Sequence, residues 1–353
     1  MSILFAILLF SVLIFVHELG HFLAAKKFGV QVNEFSMFMG PAIFKKQVGE
    51  TLYSIRCIPI GGFCAMEGED GDSDNPRAFG AAAWWKRLII LVAGAAMNFI
   101  AGLLILLIVF APSKAYIMPQ ISAAEAGSAV ISEQGLQVGD RILEVDGERV
   151  YVQSDFSFLL SLNPGDVHDL TVERNGKRVE LNDFLMEKRE FPNEDGTTSL
   201  RYGFQFSVEE ADVPTTLGYV WNTALNMIRN VRLSLQMIFT GQAGLKDMSG
   251  PVGIVQMMST TAEASETALD AFMNMLYFGG FIAINLAVMN LLPIPALDGG
   301  RALCLLLTAA FEGFTGKKIN PKYEGYLHGV GMILLLGLMA VLMFKDIFVI
   351  FKG

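Results

Sequence analysis

Two histidines four residues apart, with a glutamate directly after the first, are the residues of this chain that most clearly indicate chemistry. In an α-helix, His17 and His21 lie on one face, one turn apart, so that both imidazoles can reach a single metal ion. Glu18 is rotated away from that face, which suits a general base that contacts a water molecule instead of the metal. The chain contains four histidines, and two of them fall in this motif. The motif therefore predicts a zinc-dependent hydrolase.

A catalytic zinc ion typically has three protein ligands and one open position, so a third ligand is needed. Asp298 is the candidate, because it ends an uncharged stretch that begins at Ala271. Pro293 and Pro295 break the preceding helix, and the two glycines after the aspartate let the backbone approach closely. Irregular backbone at membrane depth is tolerated where protein or a water-filled cavity surrounds it. An ordinary helix end with an aspartate at the membrane border is the alternative.

The elements that must position these residues are membrane helices. Of the 353 residues, 53% are hydrophobic and 17% are charged, which is too apolar for a soluble domain of this length. The apolar residues form four blocks, each near or above the ~20 residues that span a bilayer: Ile3–Ala25, Leu88–Ala111, Ala271–Leu297 and Tyr326–Phe344. We expect a polytopic α-helical membrane protein with about four transmembrane helices, and a metal site inside the first one.

A cleavable signal peptide is the alternative explanation of the first block. The residues before its apolar run include no lysine or arginine, however, and the run is longer than a typical signal-peptide core. Cleavage near Ala24 would also remove the entire histidine motif. We therefore keep this block as a membrane span.

The charges are unevenly distributed, although the net charge is −9. Lysines and arginines cluster between the first two apolar blocks, so the positive-inside rule places that connection in the cytoplasm. The long segment 112–270 and both termini are then outside. Arg301, Lys317, Lys318 and Lys322 in the last connection agree with this topology. The chain has no basic cluster of the kind that binds nucleic acid.

The first connection carries apolar residues at every second position over residues 51–60, followed by Gly61 and Gly62. This alternation predicts a strand, and Val32–Phe38 is its expected partner in a small, membrane-associated β-hairpin layer. Such a layer can simply cap the helices. Alternatively, a strand edge can offer backbone hydrogen bonds to an extended substrate.

The outer segment resembles a PDZ domain. The resemblance is carried by Gly135-Leu136, Gly139-Asp140 and the hairpin turn at Asp146-Gly147, with a second turn at Asn175-Gly176. It implies an inserted, mostly β, α/β domain that binds peptides by strand addition or acts as a spacer or steric filter. Beyond it, apolar residues at helical spacing from Leu217 to Ile238 predict an amphipathic helix at the outer membrane surface, or a linker helix packed in the core.

These features predict four regions along the chain. Residues 1–111 carry the first two membrane helices, the histidine motif and the β-rich loop. Residues 112–212 form the extracytoplasmic PDZ-like domain, and residues 213–270 form interfacial linker helices. Residues 271–353 carry the last two membrane helices and the motif that contains Asp298.

Taken together, the motifs resemble the site-2 protease family of intramembrane zinc metalloproteases, in its bacterial, RseP-like branch. The first motif spans residues 17–21, and the second reads Asn290-x-x-Pro293-x-Pro295-x-Leu297-Asp298-Gly299. Further likeness lies in segments 35–41, 61–63 and 250–254, so the resemblance covers nearly the full length. One departure is Ala95, where the family usually has proline.

The resemblance implies a role for each motif residue. His17, His21 and Asp298 would bind Zn²⁺, and Glu18 would be the general base. Substrate contacts would come from the following residues: Asn290, Asn98 and Pro293.

The expected activity is hydrolysis of peptide bonds within or near the membrane segment of single-span proteins that another protease has already trimmed. Anti-sigma factors and signal-peptide remnants are the expected substrate types. The expected location is the inner membrane of a bacterium, with the active site toward the cytoplasm. A non-catalytic membrane adaptor with a structural metal site is the main alternative. A transporter fits less well, because the sequence has no internal repeat.

Overall fold

The computed structural model describes residues 2–69, 71, 73–163, 165–193, 195, 197–244, 246–316 and 322–352. It divides into two compact units: a membrane unit of Met1–Val109 and Asn230–Gly353, and a β-rich unit of Phe110–Arg229. Each unit is described by itself. Lys317 and Lys318, expected on the cytoplasmic side, lie outside the described residues.

The secondary structure follows in chain order. The helices are α1 (Ser2–Phe28), α2 (Trp84–Phe110), α3 (Gln153–Leu162), α4 (Val213–Phe239), α5 (Pro251–Glu263), α6 (Ala268–Asn290), α7 (Asp298–Thr315) and α8 (Lys322–Lys352). The strands are β1 (Val32–Val48), β2 (Thr51–Met66), β3 (Ala115–Ala124), β4 (Arg141–Val145), β5 (Glu148–Arg149), β6 (Val167–Arg174), β7 (Lys177–Leu185), β8 (Arg189–Pro192), β9 (Thr198–Arg201) and β10 (Phe204–Glu210).

Four helices in the described part of the chain are long and apolar enough to cross a membrane: Leu4–Phe28, Trp84–Phe110, Ala268–Asn290 and Gly325–Val349. The protein is therefore a polytopic membrane protein, as its composition predicts. The third span is shorter than its apolar block, because α6 ends at Asn290 and a loop with two prolines follows. After this loop, α7 fills much of what the sequence suggested was a plain connection.

The β-hairpin layer predicted between the first two spans is present, and its strands are longer than expected. Phe35 of β1 pairs with both Tyr53 and Cys64 of β2, so the two halves of β2 flank this part of β1 on its two sides. The layer lies beside α1, where Ser11 Oγ donates a hydrogen bond to the carbonyl oxygen of Pro59 at 2.8 Å. A buried core joins α1, α2, the two strands and α7; its members are Ala25, Val30, Val32, Phe35, Cys64, Met66, Phe79, Ile90, Leu91, Ala302 and Leu305.

The turn between β1 and β2 is fixed by charge. The Glu50 carboxylate lies 2.7 Å from Lys26 Nζ and 2.5 Å from Arg77 Nη1. These hydrogen bonds, first from Arg77 and then from Lys26, lower the pKa of Glu50 to about 2. The turn is thereby attached to the end of α1 and to the segment that precedes α2.

The lowered pKa of Glu50 predicts a pH dependence. Because the folded pKa lies below the ordinary value, the stabilisation is complete above pH ~4.5 and is lost as the pH falls toward about 2. We expect amide protection in residues 48–53, measured by hydrogen exchange and corrected for intrinsic rates, to fall over this range. Glu50→Gln should show the low protection at every pH, whereas the exposed Glu266→Gln should behave like the native chain. Protection that stays constant down to pH 2 would contradict this assignment.

A buried aspartate connects α8 with α5. Asp346 accepts a hydrogen bond from the backbone nitrogen of Gly253 at 2.8 Å, in the first turn of α5. A carboxylate is favourable at this positive end of a helix. A Cβ atom at Gly250 would lie 2.7 Å from Asp346 Oδ2, so the glycine makes room for the carboxylate. This contact gives a structural reason for the glycines in segment 250–254.

The β-rich unit contains a six-stranded sheet of order β10-β3-β4-β6-β7, with β5 paired to β4, and a separate β8-β9 pair. Both predicted hairpin turns are present. Asp146 and Gly147 have φ values of 50° and 78°, and Asn175 and Gly176 have 52° and 74°, as tight hairpin turns require. Helix α3 covers the core through Phe156, which is buried among aromatic rings. The unit is thus a β domain; its resemblance to a PDZ domain stays a prediction.

The expected apolar stripe of α4 is divided within this unit. Val220 and Ala224 are buried, whereas Leu217 and Trp221 are about half exposed. The buried face also contains Arg229, whose Nη2 lies 3.1 Å from Asp155 Oδ1 and whose Nη1 donates to the carbonyl oxygen of Arg149. The buried face of α4 agrees with the prediction of a linker helix packed in the core. The exposed Leu217 and Trp221 leave the prediction of a membrane-surface helix open.

The Arg229–Asp155 ion pair generates a stability prediction. Both side chains are buried, so Arg229→Met leaves a buried carboxylate without its cation and should cost about 3–5 kcal/mol. Faster hydrogen exchange in α3 and α4 of the full chain would report this loss. Arg189→Met removes an exposed pair with Glu187 and should cost less than about 1 kcal/mol. Equal effects of the two substitutions would contradict the prediction.

Candidate metal centre

The structure brings three ligand atoms from α1 and α7 to one point. His17 Nε2 lies 3.0 Å and His21 Nε2 lies 3.3 Å from Asp298 Oδ2, and the two nitrogens are 3.2 Å apart. Ligands at ~2.0–2.1 Å from a tetrahedral zinc ion are about 3.3 Å from one another. The spacing of the three atoms therefore fits a zinc ion. Among the described residues, this is the group of histidine, cysteine and carboxylate side chains that could hold a metal ion.

The hydrogen bonding of His21 fixes the tautomer of its neutral ring. His21 Nδ1 lies 2.8 Å from the carbonyl oxygen of Ile90, which can only accept, so Nδ1 carries the proton. In the neutral ring, Nε2 then has a lone pair directed at Asp298. Asp298 Oδ2 is buried, and within the described residues no hydrogen bond satisfies it. A bound cation would interact favourably with this carboxylate oxygen and with the lone pair of His21, so these side chains fit a metal ion.

Helix α2 approaches the two histidines through small residues. A Cβ atom at Gly20 would lie 2.3 Å from the carbonyl oxygen of Ala93. A Cβ atom at Gly94 would lie 2.4 Å from His21 Nε2 and 2.7 Å from His17 Cε1. These two glycines allow the helices to cross closely enough for α2 to orient His21 through Ile90. Helix α2 continues without interruption through Ala95.

Asp298 is positioned by a compact loop, residues 291–297, at the start of α7. Cβ atoms at Gly299 and Gly300 would lie 2.3 Å and 2.2 Å from backbone atoms of this loop, so both positions require glycine. Ala296 has a φ of 82°, and its backbone nitrogen donates to His328 Nδ1 of α8 at 3.0 Å. Asp298 is the first residue of α7, where the helix dipole favours a carboxylate.

Glu18 lies beside the three ligand atoms, close enough for its charge to interact with those of His17, His21 and Asp298. Strand β2 passes on its other side, where a Cβ atom at Gly62 would lie 3.8 Å from Glu18 Cγ. The glutamate is thus held between the metal-ligand group and the β-hairpin layer.

Two of the three residues expected to contact substrate also come to the site. Asn98 Nδ2 lies 3.5 Å and Asn290 Nδ2 lies 3.4 Å from His17 Nδ1. Asn98 is buried in α2, and Asn290 is the partly exposed last residue of α6. Pro293 is exposed in the loop before Asp298, and no described contact joins it to the ligand atoms.

Two residues that the sequence motifs do not include support Asp298. Arg301 pairs with Glu69 in the acidic loop after β2, and His328 binds the loop before Asp298. Each has a sequence feature that could have identified it. Arg301 follows the aspartate and its two glycines directly, and His328 lies in a predicted membrane span, where polar side chains commonly mark function.

The close approach of Gly94 predicts the effect of a single methyl group. Gly94→Ala places a Cβ atom against both imidazoles and should reduce zinc bound to the purified protein by at least tenfold. Gly337→Ala in α8 meets no heavy atom within 4 Å and should bind zinc normally. Zinc is measured by elemental analysis of detergent-solubilised protein with matched melting temperatures. Full zinc content in the Gly94→Ala protein would show that this contact does not limit the site.

Two histidines and a glutamate on a membrane-spanning helix, with an aspartate brought to them at the start of α7, define the class of membrane-embedded metalloproteases. The chain belongs to peptidase family M50, whose model matches residues 5–338.

Similar proteins support the same class. A protein of Clostridium acetobutylicum that is named for zinc metalloprotease activity is 37% identical over 351 residues, covering 98% of this chain and 97% of that protein. The zinc metalloprotease RasP of Shouchella clausii is 30% identical, covering 99% of this chain and 100% of that protein. The regulator of sigma-W protease RasP of Bacillus subtilis is 29% identical, covering 97% of each. This protein is therefore an intramembrane zinc metalloprotease of the site-2 type.

Proposed function

We propose that this protein is an endopeptidase that cleaves single-span membrane proteins within or near their membrane segment. In this proposal, His17, His21 and Asp298 bind Zn²⁺, and Glu18 is the general base. The observation that carries the proposal is the convergence of the three ligand atoms, 3.0–3.3 Å apart, with Glu18 beside them.

Each polar residue of the site has a step to perform. Zinc bound by His17, His21 and Asp298 would polarise the scissile carbonyl and lower the pKa of a water molecule toward ~7. Glu18 would accept the proton of the attacking water and deliver it to the leaving amine. Ile90 holds the His21 ring in the tautomer that leaves Nε2 free for the metal. Gly94 keeps space on the α2 side of both imidazoles.

A substrate helix has to unwind before its carbonyl can be attacked, because its amides are already hydrogen-bonded. Strand β2 supports such a step. In the described part of the chain, Gly62 and Phe63 pair with β1 on one side, which leaves the other edge of this strand to an extended peptide. Gly62 is also the strand residue that lies near Glu18. The β-hairpin layer is thus proposed to align substrate as well as to cover the helices.

The proposed location is the inner membrane of a bacterium. The basic residues between the first two spans support a position toward the cytoplasm for that connection and for the metal centre near it. The β-rich unit is then extracytoplasmic, where a PDZ-like domain binds or excludes substrate ectodomains. The name of the Bacillus subtilis relative refers to sigma-W, which supports anti-sigma factors as one substrate type; signal-peptide remnants are a second.

The adaptor alternative explains less of the structure. A structural zinc site is usually closed by four protein ligands, whereas the described residues bring three ligand atoms together. A structural site also has no use for a glutamate held beside it. The position of Glu18 therefore favours catalysis.

The proposal predicts separate effects of two isosteric substitutions. Glu18→Gln removes the base but no ligand, so cleavage of a tagged single-span substrate should fall by about 10²–10⁴-fold while zinc content stays near that of the native chain. Asp298→Asn should lower both. Cleavage is followed on blots after co-expression and with purified protein in detergent, and zinc by elemental analysis. Glu266→Gln is the matched control. Unchanged processing in both variants would contradict the proposal.

A further inference from the structure

The outer nitrogen of His17 has an unusual environment. Its Nε2 points to Asp298, and its Nδ1 faces the side-chain amides of Asn98 and Asn290 at 3.5 Å and 3.4 Å. Both contacts are to amide nitrogens, which are donors. By contrast, Nδ1 of His21 faces an acceptor, the carbonyl oxygen of Ile90.

Metal binding determines whether His17 Nδ1 needs a hydrogen-bond donor or an acceptor beside it. A histidine that binds a metal through Nε2 carries its proton on Nδ1, and this N–H group is normally hydrogen-bonded to an acceptor that fixes the ring. Neither amide nitrogen can accept that hydrogen bond. The two asparagine side chains are the neighbours of His17 Nδ1, and either can supply the acceptor by presenting its oxygen.

Asn98 has the clearer reason to do so. Its side chain is buried, and its Oδ1 has no hydrogen-bond partner among the described residues. A half-turn of the amide moves Oδ1 to the place of Nδ2, next to His17 Nδ1. After this rotation, Asn98 Oδ1 accepts a hydrogen bond from His17 Nδ1, where the amide nitrogen previously made a contact of 3.5 Å. The amide nitrogen then occupies the former position of the oxygen. Nitrogen and oxygen of an asparagine amide are assigned from such hydrogen bonds.

Asn290 is placed for a different task. It is the last residue of α6, directly before the loop that leads to Asp298, and its side chain is partly exposed. A partly exposed amide can reach a substrate backbone, whereas a buried one is confined to its neighbours. The two asparagines around His17 can therefore divide the work between ring orientation and substrate contact.

We propose that Asn98 is a positioning residue that accepts a hydrogen bond from His17 Nδ1 and fixes this ring for the metal, leaving Asn290 to contact substrate. The inference rests on the proposed function, because it takes His17 as a zinc ligand. In this proposal Asn98 orients a zinc ligand. The family resemblance instead implies that Asn98 contacts substrate.

A pair of near-isosteric substitutions tests this proposal. Asn98→Asp keeps an acceptor at His17 but loses the amide donor, and Asn98→Leu loses both. If Asn98 accepts from His17, Asn98→Leu should weaken zinc affinity by about 10–100-fold, and Asn98→Asp should retain it within about threefold. Affinity is measured on the full chain in detergent by competition with a chelator. The absorption spectrum of bound Co²⁺ should shift in Asn98→Leu, because the orientation of His17 changes.

The contrary outcomes are distinct. If Asn98 instead donated to substrate, Asn98→Asp and Asn98→Leu would both raise KM and leave zinc affinity unchanged, which would overturn the proposal. For Asn290, by contrast, the proposal expects this behaviour: Asn290→Leu should raise KM and retain zinc affinity. Asn98→Ala also lacks the acceptor and replaces Asn98→Leu if that variant misfolds. Asn285→Leu, elsewhere in α6, controls for loss of a membrane asparagine.

Failure of this inference is separable from failure of the proposed function. If His17→Ala bound zinc as tightly as the native chain, the metal assignment itself would be wrong. If His17→Ala lost zinc but Asn98→Leu and Asn98→Ala kept native affinity, only the positioning role of Asn98 would be rejected.

Discussion

The meeting of His17 Nε2, His21 Nε2 and Asp298 Oδ2 is the interaction around which α1, α2 and the start of α7 pack. No bulk water is available at membrane depth, so each polar atom needs a partner from the protein or a cation. The close crossing of α1 and α2 at Gly20 and Gly94, and the compact loop before Asp298, make sense as solutions to this one problem. Both place backbone atoms where side chains would keep the ligands apart.

Polar contacts between elements recur throughout the membrane unit. Ser11 donates to the backbone of β2, His21 to that of α2, and Asp346 accepts from that of α5. Each pairs a side chain with a main-chain group of another element. Because lipid offers no competing hydrogen bonds, such contacts select one packing arrangement among the many that apolar surfaces alone would allow.

Local patterns made much of this structure predictable. The positions of His17, Glu18 and His21 follow from helical spacing, and Asp298 was identified because it ends an uncharged run. What could not be predicted depends on contacts distant in sequence. Helix α7 was missed because its apolar residues are too few for a span, and the supporting role of His328 exists only once α8 packs against the loop at Ala296. The division of the α4 stripe likewise depends on Arg229 finding Asp155 in a different element.

The split origin of the metal ligands affects how the protein is made. The ribosome completes His17 and His21 before the β-rich unit and Asp298 only after it. If these three residues bind zinc as proposed, a nascent chain without Asp298 would offer the metal two imidazoles and no carboxylate. Metal capture would then wait until the β-rich unit had been synthesised.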